Sequence, residues 1–430
     1  MDCIIPSQKR KSLRGSLDSI PGDKSISHRA VMIGALSESV CRFTHFLMSE
    51  DCLHTIEIFR EMGVKIDVSN DMVTVTGVGL RGLRASSKVL DAGNSGTSIR
   101  LMSGILAGQN FESRITGDAS VQRRPMKRVA DPLRKMGARI DGDFPPLTIY
   151  GGALSPIKYA LPVASAQVKS AILFASLYCK EPTTVTEPAE CRDHTERMLR
   201  LFGADIHVRN RTVTCSGKNR LELDRAVQIP SDVSSSAFFI ILALLMPGSD
   251  VFIKHIGLNP TRDALIPLLR QMGADIEIQN GVDDWERVGD LRVKASSLSN
   301  LTVPESIIPI IIDEIPILAI SGLFGKGKLK VTGAKELRVK ESDRIKTIVE
   351  LVKKMGGSIE EFEDGFELEG PREFRDFEID SYGDHRIAMS AIIGAIASGR
   401  QAKIVDVGCI ATSFPNFFEI LTQFGLSWST

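Results

Sequence analysis

The sequence predicts an α/β protein of two similar domains, each made of three copies of one unit. Three observations predict it. The first is a recurrence, in which an amphipathic run ends in an apolar residue and glycine and a short strand begins three residues later. It occurs at Met62-Gly63…Ile66, Met136-Gly137…Ile140, Phe202-Gly203…Ile206, Met272-Gly273…Ile276, Met355-Gly356…Ile359 and Phe424-Gly425…Trp428. The second is that several copies continue as a hairpin. The third is a polar, Pro/Ser-rich stretch from Gln228 to Ser236 that leaves three copies on either side of it.

Each part of the unit has a physical reason. The glycine suits the left-handed residue that closes a helix. The apolar residues before it share one helical face: Ile345, Ile348, Val349 and Val352 in the fifth copy, Leu265, Leu268, Leu269 and Met272 in the fourth. Ile66-Asp67-Val68, a turn at Asn70-Asp71 and Val73 to Gly77 read as a hairpin. Ile206 to Gly217 repeats it, and Ile359 to Gly370 bends at Asp364-Gly365. The unit is therefore helix, strand, turn, strand, with a further strand and helix ahead. The glycines lie 66 to 83 residues apart, too far for a solenoid repeat.

Composition excludes several classes. With 53 basic and 53 acidic residues the net charge is zero, which argues against a nucleic-acid binder driven by bulk charge. The most apolar stretch, Ile307 to Ile320, is interrupted by Pro309, Asp313, Glu314 and Pro316 and is too short for a membrane span. No apolar signal core precedes Pro21. The seven cysteines form no CxxC pair and read as reduced thiols of a cytoplasmic protein. Gly77 to Gly82 matches GxGxxG and Gly322 to Lys328 matches GxxxxGK. Neither sits between a strand and a helix as a phosphate loop requires.

The informative motifs place basic side chains in Gly- and Ser-rich turns. Pro21 to Arg29 puts Lys24, Ser25 and Arg29 where a loop enters the apolar helix Ala30 to Leu36, a place that favours an anion. Asp91 to Arg100 repeats the idea around Gly93 and Gly96. Gln122 to Arg128 holds four cations, including Arg124. Arg192 to Glu196, Arg338 to Arg344 and Tyr382 to Arg386 complete the set. Any one of these could be a capped helix start with solvated charges. Six of them from both halves of a neutral chain point to a small, multiply anionic ligand held between the domains.

Acid and base candidates are the carboxylates inside this set. Asp313 and Glu314 interrupt an apolar run, where an unpaired carboxylate is costly, so a polar cleft is expected there. Glu341 stands between Lys340 and Arg344. His28 and His194 show no metal-ligand spacing, and no metal or cofactor is expected.

At these residues the chain resembles the enolpyruvyl transferases over nearly its whole length, and within them the branch acting on shikimate 3-phosphate. PGDKSISHR, DAGNSGTSIRL, TGDASVQRRPMKR, ASAQVKSA, DEIPILA, RVKESDRI and YGDHRIAM occur in family order. The resemblance implies two domains, each of three βαβαββ units forming an inside-out α/β barrel. Residues 18–233 would form one and residues 1–17 with 234–430 the other, joined by a two-strand hinge.

It also implies roles. Lys24, Ser25, Arg29, Ser165, Gln167, Arg192, Asp313 and Lys340 would contact shikimate 3-phosphate. Lys24, Gly96, Arg124, Gln167, Arg344 and Arg386 would hold phosphoenolpyruvate. Asp313 would take the proton from the 5-hydroxyl, Glu341 with Lys24 would protonate the methylene carbon, and His385 would assist. Addition and then elimination of phosphate require opposed proton transfers among clustered cations. The resemblance implies a monomer with no nucleic-acid or membrane partner.

The spellings GDKS, RDHTE, SAQVK and NPTR resemble the family's class II, whose members include herbicide-tolerant enzymes. Thr412 stands where many members carry Lys before Thr-Phe-Pro, which leaves that phosphate contact open. The sister branch acting on UDP-N-acetylglucosamine generally has a Cys in the loop that here runs from Thr116 to Arg124, and this loop has none. A non-catalytic phosphosugar binder would have had no need to keep both Asp313 and Glu341.

Overall fold

A computed structural model describes residues 1–217 and 220–430. The chain separates into two compact units, Gly22–Ile229 and Met1–Pro21 with Pro230–Thr430.

Among the described residues, Gly22–Ile229 holds three four-stranded sheets with one topology. Their strand orders are Val227–Gln228, Val40–Thr44, Met72–Thr76, Lys65–Ser69; then Leu90–Asp91, Glu112–Thr116, Leu147–Tyr150, Arg139–Asp141; then Lys158–Ala160, Thr183–Thr186, Thr212–Cys215, Ile206–Arg209. In each sheet the first pair is parallel and the other two are antiparallel. The first sheet takes its opening strand from the far end of the unit, since Val227 pairs with Phe43.

Every copy has an inner and an outer helix of different character, the second copy with a short helix, Ala119–Gln122, between them. Lys24–Leu36, Gly96–Ala107 and Ala166–Ser176 are buried almost all round, whereas Glu50–Glu61, Lys127–Lys135 and His194–Leu201 keep one wet face. Buried helices inside and sheets outside make the inside-out barrel. Two inner helices approach so closely that a Cβ on Gly104 would lie 2.0 Å from the Ala171 carbonyl oxygen, so only glycine fits there.

The other unit also places apolar helices inside its sheets, of which, among the described residues, one has four strands and two have three. Its inner helices are Val233–Leu245, Ile315–Phe324 and His385–Ser398, and every residue of the first is buried. Fully burying a Leu, Ile or Phe side chain is worth roughly 1.5–3 kcal/mol, so this helix anchors the core, with Phe239 against Phe414 and Phe417 at its centre. Arg14–Leu17 runs parallel to Asp250–Gly257, and Cys3–Ile5 pairs antiparallel with Ala402–Val405.

All six repeat glycines have positive φ, from 65° at Gly425 to 98° at Gly273, and each follows its helix as expected. Strands follow in five copies. In the sixth, among the described residues, a single bridge from Ile4 to Ser429 takes the place of a strand beyond Gly425. The Pro/Ser-rich stretch is also less of a linker than its composition suggests. Asp232 accepts bonds from the amides of Ser234 and Ser235, so a helix already begins at Val233. The apolar run 307–320 is divided at Asp313 and Glu314, with helical segments Glu305–Ile311 and Ile315–Phe324 meeting at 117°. Among the described residues no single helix is long and apolar enough to cross a membrane.

A buried charge cluster ties the last copy of Gly22–Ile229 together. Lys169, 1% exposed, lies 2.5 Å from Glu187 and 2.6 Å from Glu196, both buried. Burial alone would lower the Lys169 pKa, but Glu196, Cys191 and Glu187 outweigh it and raise it. Burial raises Glu196 against the pull of Lys169. Glu187 also accepts from the Cys191 amide at 3.1 Å, so the cluster joins the inner helix, the outer helix and the turn before it.

Lys169→Met is expected to cost about 3–5 kcal/mol at neutral pH, because two buried carboxylates lose their counter-charge. Such carboxyls bind protons more readily folded than unfolded, so the deficit should shrink as pH falls from 7 to about 5. Urea unfolding of parent and variant at both values checks this. A deficit that grows on acidification contradicts the cluster's role.

Candidate active site

The basic motifs map onto helix starts. Asp23 accepts from the Ile26 amide at 2.9 Å, so the first inner helix begins at Lys24. Lys24, Ser25 and Arg29 are therefore helical, whereas the sequence placed them in a loop before Ala30. Gly96 opens the second inner helix behind the cap Ser95, and Ser165 caps the third, two residues before Gln167. In the other unit, Arg344 follows the cap Asp343, and His385 and Arg386 follow the cap Asp384. Helix N-termini with basic side chains suit anions.

Within Gly22–Ile229 two contact groups form, around Arg29 and around Gly96, with Lys24 and Arg192 outside both. Arg29 is 2% exposed. Its Nη1 donates to the Ser25 carbonyl at 2.8 Å, its Nη2 to Ser170 Oγ at 2.9 Å and its Nε to Thr195 Oγ1 at 2.6 Å. Around Gly96, Arg100 Nη1 donates to the Gly96 carbonyl at 3.2 Å and to Gln167 Oε1 at 3.0 Å, while Gln167 Nε2 donates to Thr97 Oγ1 at 3.0 Å. A Cβ on Gly96 would meet Arg100 Nη1 at 2.7 Å and Arg124 Nη1 at 2.9 Å, so Arg124 belongs to this group. Lys24 pairs with the buried carboxylate of Asp51. Arg192 is partly exposed, in the turn that Glu187 holds through Cys191.

In the other unit the candidates converge on Asp313. Arg344 Nη1 donates to Asp313 Oδ1 at 3.2 Å, with Lys340 Nζ 3.8 Å from the same oxygen, and Arg386 Nη1 donates to the Asp313 carbonyl at 2.9 Å. Arg344 Nη2 reaches Glu341 Oε2 at 2.6 Å. Arg344 is 1% exposed and also grips Asp384 through Nε at 2.8 Å and Nη2 at 3.2 Å. Burial would lower the Arg344 pKa, but Asp384, Glu341 and Asp313 overcome it and raise it. Burial would raise Asp384, and Arg344 overrides it so that its carboxyl is lowered. His385 is 5% exposed beside Asp384. Thr412 spends its hydroxyl proton on the Cys409 carbonyl at 2.7 Å.

The carboxylates of Asp313 and Glu341, gathered with Lys340, Arg344 and Arg386, put groups that can take up a proton beside groups that can hold an anion. The structure adds residues that the motifs contained but that sequence reasoning did not single out: Arg100, Ser170, Thr195 and Asp384. Asp51 carried no local signal.

The comparisons with known proteins agree with one another. The family model for EPSP synthase (3-phosphoshikimate 1-carboxyvinyltransferase) matches residues 7–421. A 3-phosphoshikimate 1-carboxyvinyltransferase of Desulforamulus reducens is 46% identical over 419 residues, covering 96% of this chain and 97% of the relative. A solved EPSP synthase from Acinetobacter baumannii superimposes with a TM-score of 0.88 at 44% identity, covering 100% of this chain and 99% of its own. The enolpyruvyl transferase NikO from Streptomyces tendae, at 16% identity and a TM-score of 0.78, shares the fold over 100% of this chain and 98% of its own. With helix-start cations and a carboxylate cluster in the family's motifs, the chain belongs to the EPSP synthase family.

Proposed function

We propose that the protein transfers the enolpyruvyl group of phosphoenolpyruvate to the 5-hydroxyl of shikimate 3-phosphate, releasing phosphate through a tetrahedral intermediate. The family match over nearly the whole chain carries this reading and favours it over the UDP-N-acetylglucosamine branch. The reaction belongs to the shikimate pathway of aromatic amino-acid biosynthesis.

The roles of individual side chains are our assignment. Lys24, Ser25, Arg29, Ser165, Gln167, Arg192, Asp313 and Lys340 bind shikimate 3-phosphate. Lys24, Gly96, Arg124, Gln167, Arg344 and Arg386 hold phosphoenolpyruvate. Asp313 removes the proton from the attacking hydroxyl, which raises the oxygen's nucleophilicity as it adds to the phosphate-bearing enol carbon of phosphoenolpyruvate. Glu341 and Lys24 deliver a proton to the methylene carbon, and His385 assists. Reversal of the carbon proton transfer then expels phosphate, whose developing charge the cations neutralise. The hydrogen bonds that Arg344 and Arg386 make to Asp313 support the assignment in Pro230–Thr430. Residues 18–233 form one functional domain and residues 1–17 with 234–430 the other, a reading that the division of the chain at Ile229 and Pro230 supports. We further propose a cytoplasmic monomer that needs no cofactor. Thr412 makes no phosphate contact on this reading, its hydroxyl being turned to the Cys409 carbonyl.

Phosphate release with phosphoenolpyruvate, comparing shikimate 3-phosphate with UDP-N-acetylglucosamine as acceptor, tests the activity. For Asp313→Asn we expect near-intact binding of shikimate 3-phosphate and turnover lower by about a hundredfold or more. Turnover near the parent's removes Asp313 from the mechanism.

Gly96→Ala tests the phosphoenolpyruvate group. The added methyl must displace the Arg100 and Arg124 guanidinium ends, which lie 2.7 and 2.9 Å from its position. Both are far ends of flexible side chains, so the compact substrate should tolerate the shift better than its longer analogue glyphosate. We expect glyphosate inhibition to weaken at least about tenfold, within the roughly 1–3 kcal/mol cost of overpacking, with a smaller rise in KM for phosphoenolpyruvate. Inhibition measured at several phosphoenolpyruvate concentrations checks this. Equal losses for substrate and inhibitor dispose of the steric argument.

A further inference from the structure

Behind Asp313 lies a second carboxylate that the reaction as written does not use. Glu314 is 0% exposed, and its Oε1 accepts from Ser234 Oγ and lies 3.9 Å from Arg386 Nη1. Ser234 in turn accepts from Arg262 Nη2 at 2.6 Å, and the same nitrogen lies 3.4 Å from Asp232 Oδ1. Arg262 closes the Asn-Pro-Thr-Arg turn that the sequence marked and the reaction left unexplained. That turn is itself fixed, since Asn259 Oδ1 accepts from the Thr261 amide at 2.8 Å and Asn259 Nδ2 donates to Glu286 Oε2 at 2.9 Å.

A carboxylate fully removed from water is costly unless charge and hydrogen bonds compensate it. Here burial, helped by Asp313, raises the Glu314 carboxyl against the opposing pull of Arg262 on one side and Arg386 on the other. Arg262 is 3% exposed and anchored, so the member of the chain with freedom to respond is Arg386, whose side chain is 13% exposed. Its Nη1 bond to the Asp313 carbonyl and the Glu314 charge orient its guanidinium.

We propose that Glu314 is a positioning residue: held by Ser234 and the Arg262 turn, its carboxylate sets the guanidinium of Arg386 for phosphoenolpyruvate. The proposal rests on the reading of Arg386 as a phosphoenolpyruvate contact. Glu314 touches no substrate and transfers no proton. It acts on affinity for one substrate through one side chain, which a merely structural carboxylate at the start of helix Ile315–Phe324 does not do.

The test is steady-state kinetics on the full chain with Glu314→Gln, Arg386→Lys and the double variant, with thermal unfolding alongside. Glu314→Gln keeps the volume and an oxygen for Ser234 but removes the charge. We expect KM for phosphoenolpyruvate to rise at least about tenfold, KM for shikimate 3-phosphate to stay within about twofold, and Glu314→Asp to recover part of the loss. Because the effect passes through Arg386, the double variant should match Arg386→Lys alone. Equal rises in both KM values, losses that multiply in the double variant, or a lower unfolding temperature with unchanged KM overturn the proposal. If Arg386→Lys leaves KM for phosphoenolpyruvate at the parent value, the reading of Arg386 fails and this inference falls with it. Should Glu314→Gln not fold, Ser234→Ala decides: a selective rise in KM for phosphoenolpyruvate supports the relay, and no rise overturns it.

Discussion

A guanidinium keeps its proton at any ordinary pH, so burying Arg344 to 1% exposure obliges the surrounding chain to supply negative charge. Three segments do so. Asp384 caps the helix His385–Ser398, Glu341 lies in the turn before Arg344, and Asp313 stands at the break between two helical segments. One cation thereby holds together pieces of chain that are far apart in sequence. The carboxylate assigned as base and the carboxylate assigned as acid are both fixed by bonds to the same side chain. Loss of that charge would leave three carboxylates repelling one another, two of them at the chemistry.

The other unit buries a second guanidinium. Arg29 is buried as Arg344 is, but Thr195, Ser170 and the Ser25 carbonyl surround it. The adjacent Lys169 is neutralised by Glu187 and Glu196, and its work is structural. Neighbours in sequence, Lys169 and Ser170, therefore join the charge cluster and the Arg29 group respectively.

Much of this was legible in the sequence. The glycines at 63, 137, 203, 273, 356 and 425 announced the repeat because a left-handed helix end leaves glycine as the low-cost residue. The motifs named the assigned cations and acids because their chemistry depends on residue type and spacing. Asp51 was not legible, since an ion pair between Lys24 and the start of the next outer helix has no spacing rule. The relay from Arg262 through Ser234 to Glu314 was hidden for the same reason, although its three members lay in stretches that the sequence had marked. Helix starts were misjudged by several residues where Asp23 and Asp232 cap earlier than the apolar pattern begins.

The sheets also carry a history of their making. Arg14–Leu17 lies in a parallel pair with Asp250–Gly257, and the unit between them is closed by Val227–Gln228 against Val40–Thr44. A ribosome adds roughly 5–20 residues each second, so more than 200 residues take about 10–40 s to synthesise. Throughout that interval Arg14–Leu17 has emerged without its neighbour, while Gly22–Ile229 can complete itself as soon as residue 228 is free. The early strand, with Arg14 at its head and the charged run from Lys9 before it, is short and polar enough to wait in water without seeking another edge.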